Sequence, residues 1–307
     1  MLAAALVVMF AACDNGTTGG GNSVPPLTGD IVPGSNLAAK LAWLRTNAES
    51  GKSYIIEINA DETTRPILIA GSFDGSDNRY ELNLSGAEFV DFAERPNITI
   101  GIRGIGANRA ITSSSTAIFS LLSDVTLILD NNITVKGTGT SGPLVSVFQA
   151  TLIMNPGSAI TGSTSSGIQG NGVVVRSFNR PSTFVMNGGT ISGFTSTGVW
   201  IDAGLTPLAG SSVSFTMNGG TISGNSSNGI YLGGKCTFTM NGGTITGNTA
   251  DGNGGAISMF GTFIMNGGTI SGNTAATFGG AIYCQSNPTY GEGIIDIRGE
   301  PSPAIPP

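Results

Sequence analysis

The sequence predicts an all-β fold, a right-handed parallel β-helix with three short strands per coil and one short capping helix at its N-terminal end. Three observations support this prediction. One phrase recurs four times, one other short apolar run accompanies each copy, and the 307-residue chain contains 48 glycines but only 10% charged residues. Globular proteins average about 7% glycine and about 25% charged residues. Many tight turns are therefore expected, and long charged helices are not.

The repeated phrase supplies two strands of each coil. Its copies read FVMNGGTISGF, FTMNGGTISGN, FTMNGGTITGN and FIMNGGTISGN, and they begin at Phe184, Phe215, Phe238 and Phe263. Phe and Met share one face of a strand because side chains alternate with a period of two. Gly-Gly then allows a sharp turn with positive φ, and Thr-Ile begins the second strand.

A third apolar run completes each coil, and it occupies residues 198–201, 229–232, 256–259 and 281–284. A unit of about 25 residues cannot bury its apolar face alone, so successive units must stack. Stacking in register places Phe on Phe, Met on Met and Ile on Ile. A β-sandwich is the alternative architecture, but a sandwich does not require one phrase in every set of strands.

The asparagine after each Met is predicted to form a structural ladder, in which every side-chain amide bonds to the amides of the coils above and below. With the degenerate earlier copies included, the members of this column are Asp130, Asn155, Asn187, Asn218, Asn241 and Asn266. Removing the partner of a buried amide costs about 1–3 kcal/mol. We therefore expect Asn218→Leu, which has neighbours on both sides, to destabilise the fold more than Asn266→Leu.

The first residues are predicted to direct export and lipid attachment. Residues 1–12 are an apolar stretch, too short to span a bilayer and typical of a signal peptide. They end in Phe10-Ala11-Ala12-Cys13, which is similar to a bacterial lipobox. Cys13 is therefore the predicted lipidation site, and two or more acyl chains give stable membrane anchoring. The alternative is an apolar N-terminal core segment.

Four further segments follow along the chain. Residues 13–34 are polar and Gly-rich, as in a flexible tether. Residues 35–51 predict the capping helix, because leucines recur at helical spacing before a glycine. Residues 52–300 are the predicted β-helix. Residues 301–307 form a Pro-rich tail, which offers few backbone donors to an incoming strand.

Composition argues against several functions. The chain has no histidine, which removes the commonest general base and a frequent metal ligand. Its net charge is −6 and it has no basic run, so nucleic acid is not an expected partner. Inverting glycosidases need two carboxyl groups about 6.5–9.5 Å apart, and no repeat column supplies such a pair. We predict no enzymatic activity, no cofactor and no metal.

Two fragments could instead indicate an enzyme or a calcium site. Val199–Asp202 resembles the Trp-Ile-Asp-His signature of pectate lyases, but Ala203 occupies the histidine position and the segment aligns with an ordinary strand of the repeat. DGNGG at 251–255 resembles a calcium loop, but it occurs once, and a turn is the favoured interpretation.

The aromatic and cysteine residues of the third run give two more predictions. Trp200, Tyr231 and Tyr283 occupy one outward position, so their rings could stack on sugars; alternatively, loops cover them and they shield the sheet. Cys236 and Cys284 occupy different places in the repeat. We therefore predict two separate buried thiols, although an exported compartment permits a disulfide.

Two short motifs recur in the repeats. Phe-x-x-Asn occurs at 184–187, 215–218, 238–241 and 263–266, and Gly-Gly-Ala-Ile occurs at 254–257 and 279–282. Both motifs resemble those of the polymorphic outer-membrane protein family. More broadly, residues 36–300 are similar to bacterial right-handed β-helix repeat lipoproteins. The resemblance to the polymorphic family implies an adhesin.

The favoured function is that of a monomeric, lipid-anchored protein of the outer membrane or cell surface, which binds a glycan or a protein of a host or neighbouring cell. The alternatives are a lyase- or glycosidase-like enzyme acting on polysaccharides, a degenerate relative of such an enzyme, and a passive envelope spacer.

Overall fold

The computed structural model describes residues 8–9, 24–71, 87–92, 95–113, 117–138, 142–163, 170–204, 210–287 and 291–298. These residues form a right-handed parallel β-helix with one short helix at its N-terminal end, which confirms the predicted fold class. Cys13 and the Pro-rich tail lie outside the described residues, as does all of the predicted signal peptide except Val8–Met9.

The elements are numbered in chain order. The N-terminal part contains β1 (Val8–Met9), β2 (Asp30–Ile31), α1 (Leu37–Asn47), β3 (Ser53–Ile58), β4 (Glu62–Thr63), β5 (Ile67–Ala70), β6 (Glu88–Asp91), β7 (Ile98–Gly104), β8 (Arg109–Ser113) and β9 (Phe119–Leu122). The middle part contains β10 (Val125–Leu129), β11 (Ile133–Gly137), β12 (Val145–Phe148), β13 (Thr151–Met154), β14 (Ser158–Ser163), β15 (Val173–Arg176), β16 (Ser182–Met186), β17 (Thr190–Phe194) and β18 (Val199–Asp202).

The C-terminal part repeats the same three-strand unit with shorter strands. It contains β19 (Val213–Met217), β20 (Thr221–Ser223), β21 (Ile230–Leu232), β22 (Cys236–Met240), β23 (Thr244–Thr246), β24 (Thr249–Ala250), β25 (Ile257–Met259), β26 (Thr262–Met265), β27 (Thr269–Ser271), β28 (Thr274–Ala275), β29 (Ile282–Cys284), β30 (Ser286–Asn287), β31 (Gly291–Glu292) and β32 (Ile294–Ile297).

Three long sheets run side by side along the molecule. Each three-strand coil between β3 and β29 contributes one strand to every sheet, and β1, β2, β6 and β32 extend the sheets at their ends. The Phe sheet has the parallel order β2-β3-β7-β10-β13-β16-β19-β22-β26-β32. The Ile sheet has the parallel order β4-β8-β11-β14-β17-β20-β23-β27, and β1 adds antiparallel to β27 at its far edge. The aromatic sheet has the parallel order β6-β5-β9-β12-β15-β18-β21-β25-β29. Two short pairs, β24 with β28 and β30 with β31, lie outside these sheets.

The core is built from columns of identical side chains, as the repeated phrase predicts. Phe184, Phe215, Phe238 and Phe263 are in register on successive coils, and their rings stack with centroid distances of 4.5, 4.8 and 5.1 Å. The methionine and isoleucine columns beside them are equally buried. Each large apolar side chain contributes about 1.5–3 kcal/mol on burial, so the stacked columns are the main source of stability.

Helix α1 lies within the predicted segment and packs its leucines on the first coil. Asn36 is the N-cap, and its side-chain oxygen accepts from the backbone N–H of Ala39 at 2.9 Å. Leu37, Leu41 and Leu44 are buried in the same core as the first strands. Because α1 covers apolar side chains at the end of the stack, it acts as the expected cap.

A single arginine ties the end of α1 to the β-helix. The guanidinium of Arg95 donates to the carbonyl oxygens of Ala48 at 2.7 Å and Arg45 at 2.8 Å, and also to that of Phe92. A cation at the C-terminal end of a helix satisfies free carbonyls and favours the helix dipole. The cap is thus held by polar as well as apolar contacts.

Coils differ in length at the corner between the aromatic sheet and the Phe sheet. Residues 233–235 make this connection after β21, whereas residues 203–212 make it after β18. Of the longer connection, residues 205–209 lie outside the described residues. The strand register on either side is the same in both coils, so extra residues are accommodated without shifting the columns.

Candidate functional site

One column of residues runs along the outer face of the aromatic sheet. Its neighbours along the strands, such as Ile201 and Leu232, point into the core. In spatial order the column contains Phe89, Leu68, Ser120, Ser146, Val174, Trp200, Tyr231, Ser258 and Tyr283. The three aromatic residues predicted to bind a ligand therefore lie on one face, with Ser258 between the second and the third.

Trp200 and Tyr231 stack on each other. Their ring centroids are 4.0 Å apart and their planes differ by 22°, while Phe260 meets Tyr231 edge-on at 6.4 Å. Adjacent coils are about 4.8 Å apart, which is close enough for the rings to cover one another. The ring faces that Trp200 and Tyr231 turn towards each other are therefore covered, and these half-buried residues offer a ligand mainly their ring edges.

A second aromatic pair lies nearer the C-terminal end of the same face. Tyr283 stacks on Phe278 with a centroid distance of 6.1 Å. Phe278 is 63% exposed, more than any other large apolar side chain in the described part of the chain. We define Trp200, Tyr231, Phe260, Phe278 and Tyr283 as the aromatic surface.

The backbone of Phe278 is fixed by the preceding coil. Its N–H donates to the side-chain oxygen of Asn253 at 3.1 Å, and its carbonyl accepts from the N–H of Gly254 at 2.9 Å. Sequence reasoning missed Phe278 because it lies in a turn outside the repeated phrase. The available signal was its position one coil after Asn253, just before Gly-Gly-Ala-Ile.

Charged groups adjoin the aromatic surface at Trp200. Arg176 and Asp202 are opposite each other on neighbouring strands, and the Asp202 carboxylate accepts from the N–H of Gly204 at 3.0 Å. Burial raises the pKa of the Cys236 thiol to about 12, and the negative charge of Asp202 adds to the rise. Asp202 lies at the end of the ordinary strand β18, as the repeat alignment indicates, and supplies a hydrogen-bond acceptor beside the rings.

The predicted asparagine ladder lies at one corner of the coils. Each side-chain amide donates to the side-chain oxygen of the preceding member, at 2.7–3.1 Å, along Asp130, Asn155, Asn187, Asn218, Asn241 and Asn266. Only Asn155 is buried, however, and the last three members are exposed. The premise that these amides are buried is wrong for Asn218 and Asn266, because the corner turns them towards solvent. We therefore expect small losses at both.

A second asparagine ladder, not recognised from the sequence, is more deeply buried: two of its members, Asn225 and Asn248, are buried and the third, Asn273, is half-buried. It consists of Asn225, Asn248 and Asn273, the last letters of three repeated phrases. The amide of Asn225 donates to Asn248 at 2.8 Å, and that of Asn248 donates to Asn273 at 2.8 Å. Phe194 fills the equivalent place in the first copy, and its N–H donates to the Asn225 side-chain oxygen at 3.2 Å. The sequence signal for this ladder was that the first copy of the phrase ends in Phe, whereas the other three copies end in Asn.

Residues 251–255 form a turn. The carbonyls of Asn253 and Gly254 accept from the side-chain amide of Asn228 at 2.7 and 2.5 Å, and the Asn253 side chain holds Phe278. Among the described residues, no group of three or more His, Cys, Asp or Glu side chains is arranged to hold a metal ion. The polar groups of this turn are thus used to position the neighbouring coil.

The two cysteines of the described chain are free thiols, but only one is buried. Cys236 lies in the core between coils. Cys284 also occupies a core-facing position, in register with Met259, yet it is exposed. The prediction of two buried thiols is wrong for Cys284, because it belongs to the last described coil and no other described coil covers it.

Comparison with protein-family models, with curated proteins and with solved structures finds no match for this chain. The resemblance to β-helix lipoproteins and adhesins therefore stays an expectation from sequence motifs. In the described residues, no helix has the length and apolar character needed to cross a membrane.

Proposed function

We propose that this protein is anchored to the bacterial envelope by a lipid on Cys13 and binds glycan chains through its aromatic surface. The observation that carries the proposal is the stacked pair of Phe278, which is exposed, and Tyr283, which is half-buried. Contiguous exposed apolar patches are uncommon on monomeric proteins and often mark binding sites.

The chemistry of the aromatic surface favours an uncharged sugar polymer. Aromatic rings pack on the apolar C–H faces of sugars, and carboxylates accept hydrogen bonds from sugar hydroxyls. Phe278 has an accessible ring, and Asp202 is an acceptor on the same side of the molecule. Because the residues are fixed on stacked coils, binding orders few side chains, which lowers its entropic cost.

The glycan proposal is tested by an array of glycans and by retention on immobilised polysaccharides. We expect Phe278→Ala to weaken binding by about tenfold, since an aromatic stack contributes about 0.5–1.5 kcal/mol beyond the area that it buries. Trp200→Ala should have a smaller effect because its ring face is already covered by Tyr231.

Phe89→Ala is the matched control. Phe89 is 42% exposed and occupies the same outward column at the opposite end of the sheet, so its removal should leave glycan binding unchanged. Equal losses for Phe89→Ala and Phe278→Ala would contradict the assignment of the site. A chain that binds no glycan would instead support the passive spacer.

The anchor is tested separately by partitioning between detergent and aqueous phases. Cys13→Ser, or inhibition of the lipoprotein signal peptidase with globomycin, should move the protein to the aqueous phase, because lipid attachment at Cys13 is the proposed source of stable membrane binding. Continued partitioning of Cys13→Ser into the detergent phase would rule out this anchor while leaving the glycan site untouched.

A further inference from the structure

Four asparagine–glycine pairs share one local sequence but differ in their surroundings. The hexapeptide Met-Asn-Gly-Gly-Thr-Ile begins at Met186, Met217, Met240 and Met265. An asparagine followed by glycine readily loses its side-chain amide, because glycine has no Cβ to shield its own backbone nitrogen and its backbone turns freely. The intrinsic reactivity of the four copies is therefore equal, and a difference between them must come from the fold.

The backbone of the hexapeptide is held in the same way in every copy. The N–H of each asparagine donates at 2.8 Å to a methionine carbonyl of the preceding coil. The N–H of the following glycine donates to the same carbonyl at only 3.2–3.3 Å, in Gly188, Gly219, Gly242 and Gly267 alike. The glycine nitrogen is thus the more loosely held of the two, and equally so in all four copies.

The side-chain amides, by contrast, are not held equally. The Oδ1 atoms of Asn187, Asn218 and Asn241 each accept from the next member of the outer ladder, at 2.9, 2.8 and 2.7 Å. These three side chains also donate to the preceding member, so they are fixed from both sides. Asn266 donates to Asn241, but no group in the described part of the chain donates to its Oδ1.

Arg298 occupies the place of the next ladder member. Its N–H donates to the carbonyl of Met265 at 2.8 Å, which is the bond that the N–H of Asn266 makes to Met240 one coil earlier. The guanidinium of Arg298 binds Asp296 at 2.6 and 2.9 Å. The ladder therefore ends at Asn266 because an arginine stands where the next asparagine would be.

We infer that Asn266 is a site of spontaneous deamidation and that the ladder protects the three equivalent asparagines. The side chain must rotate before its Cγ can meet the nitrogen of the following glycine. Asn266 breaks one side-chain hydrogen bond in this rotation, whereas Asn187, Asn218 and Asn241 each break two. The inference is independent of the proposed glycan site.

The reaction needs only water as a co-reactant. The nitrogen of Gly267 loses its proton to hydroxide and attacks Cγ of Asn266; the N–Cγ bond forms, the Cγ–Nδ2 bond breaks, and the leaving nitrogen takes a proton from water and departs as ammonia. Water then opens the five-membered imide ring at either carbonyl, which gives aspartate or isoaspartate. No atom is oxidised or reduced.

The modification changes the last contact of the ladder. A carboxylate at position 266 accepts hydrogen bonds but donates none, so the bond to the Oδ1 of Asn241 is lost and two acceptors face each other. Isoaspartate also adds a backbone atom to the turn before Gly267. Both products add one negative charge beside Arg298, so the contact between these coils changes as the protein ages.

The test follows amide loss at the four copies while the folded full chain, carrying Cys13→Ser to remove the lipid, is kept at mildly alkaline pH. Chymotrypsin cleaves after the phenylalanine that precedes each copy, so mass spectrometry of the peptides reports each asparagine separately. We expect Asn266 to react about fivefold faster than Asn241, the factor that corresponds to one net hydrogen bond. In urea, where the ladder is absent, the four copies should react at one rate.

Two variants move the end of the ladder in opposite directions. Asn266→Leu removes the donor to Asn241, so Asn241 should react about fivefold faster than in the parent. Arg298→Asn adds a member after Asn266 and should slow Asn266 to the parent rate of Asn241. Arg298→Ala is the matched control, because it removes the guanidinium without adding an amide and should leave Asn266 fast. Circular dichroism checks that each variant is folded.

The inference is overturned by equal rates at Asn266 and Asn241 in the folded parent, or by no reaction at Asn266 under conditions in which the urea-unfolded chain reacts. It is also overturned by an Asn241 that stays slow in Asn266→Leu, or by equal rates at Asn266 in Arg298→Asn and Arg298→Ala. Because the two variants act on different coils, one decides the matter if the other does not fold.

Discussion

Asn248 makes more hydrogen bonds than any exposed asparagine of the outer ladder. Its side-chain amide donates to Asn273 at 2.8 Å and to two backbone carbonyls, and its oxygen accepts from both the N–H and the amide of Asn225. Because Asn248 is fully buried, Asn248→Leu leaves several groups unpaired. We expect a loss of about 2–3 kcal/mol in the free energy of unfolding.

Asn241→Leu is the matched control, since Asn241 belongs to the same coil but is exposed. Water can replace its lost partners, so we expect a loss below about 1 kcal/mol. Urea unfolding of both variants, followed by circular dichroism, makes the comparison. Equal losses would mean that burial does not distinguish the two ladders.

The buried thiol of Cys236 makes stability depend on alkaline pH. Its pKa in the folded chain is raised by burial from 9.0 to about 12. Below the lower value both folded and unfolded states keep the proton; above it the unfolded state ionises first. Stability should therefore fall by on the order of 1 kcal/mol per pH unit between these values.

The pH effect is measured by urea unfolding at pH 8 and pH 10. Cys236→Ala should show a smaller difference between the two pH values than the parent chain. Cys284→Ala, which removes an exposed thiol, should keep most of the parent's difference. A Cys236→Ala variant with unchanged pH dependence would assign the effect to other groups.

At the scale of the element, α1 closes one end of the stack. Leu41 lies in the middle of its buried face, so Leu41→Asp places a charge among the leucines and should release the helix. We expect the exposed first coil to form oligomers through its free strand edges, detected by light scattering. Ala42→Asp is the control, because Ala42 is the exposed next residue of the same helix. A Leu41→Asp variant that behaves like Ala42→Asp would show that α1 does not protect the edge.

At the scale of the whole molecule, each coil contacts mainly its neighbours, so a complete coil is removable. Deleting residues 241–265 joins Met240 to Asn266, which lies one 25-residue period later. All columns stay in register, and we expect a folded, somewhat less stable protein with the same far-ultraviolet spectrum per residue. Deleting residues 241–252 removes about half a coil, misaligns every later column and should give aggregates. Similar behaviour of the two deletions would contradict a stacked architecture.

Sequence repetition predicted the columns but not the direction of every side chain. Phe184 and its equivalents were predictable because Phe recurs at the same position of successive strands, and the alternation of side chains along a strand decides which face is buried. Asn248 was not recognised, because it follows Gly247 at φ 64°, and the orientation after such a turn does not follow from periodicity. Trp200 and Tyr231 were placed on the right face, but mutual stacking depends on coil spacing and rotamers. Cys284 was predicted to be a buried thiol, and it is exposed because no described coil covers it.

The corner between the aromatic sheet and the Phe sheet tolerates connections of different length. Residues 233–235 suffice there after β21, while residues 203–212 follow β18, and the columns are undisturbed. The length of this corner is therefore independent of the strand register. Since the longer connection begins beside Trp200, residues added there would change the border of the aromatic surface and leave the scaffold unchanged.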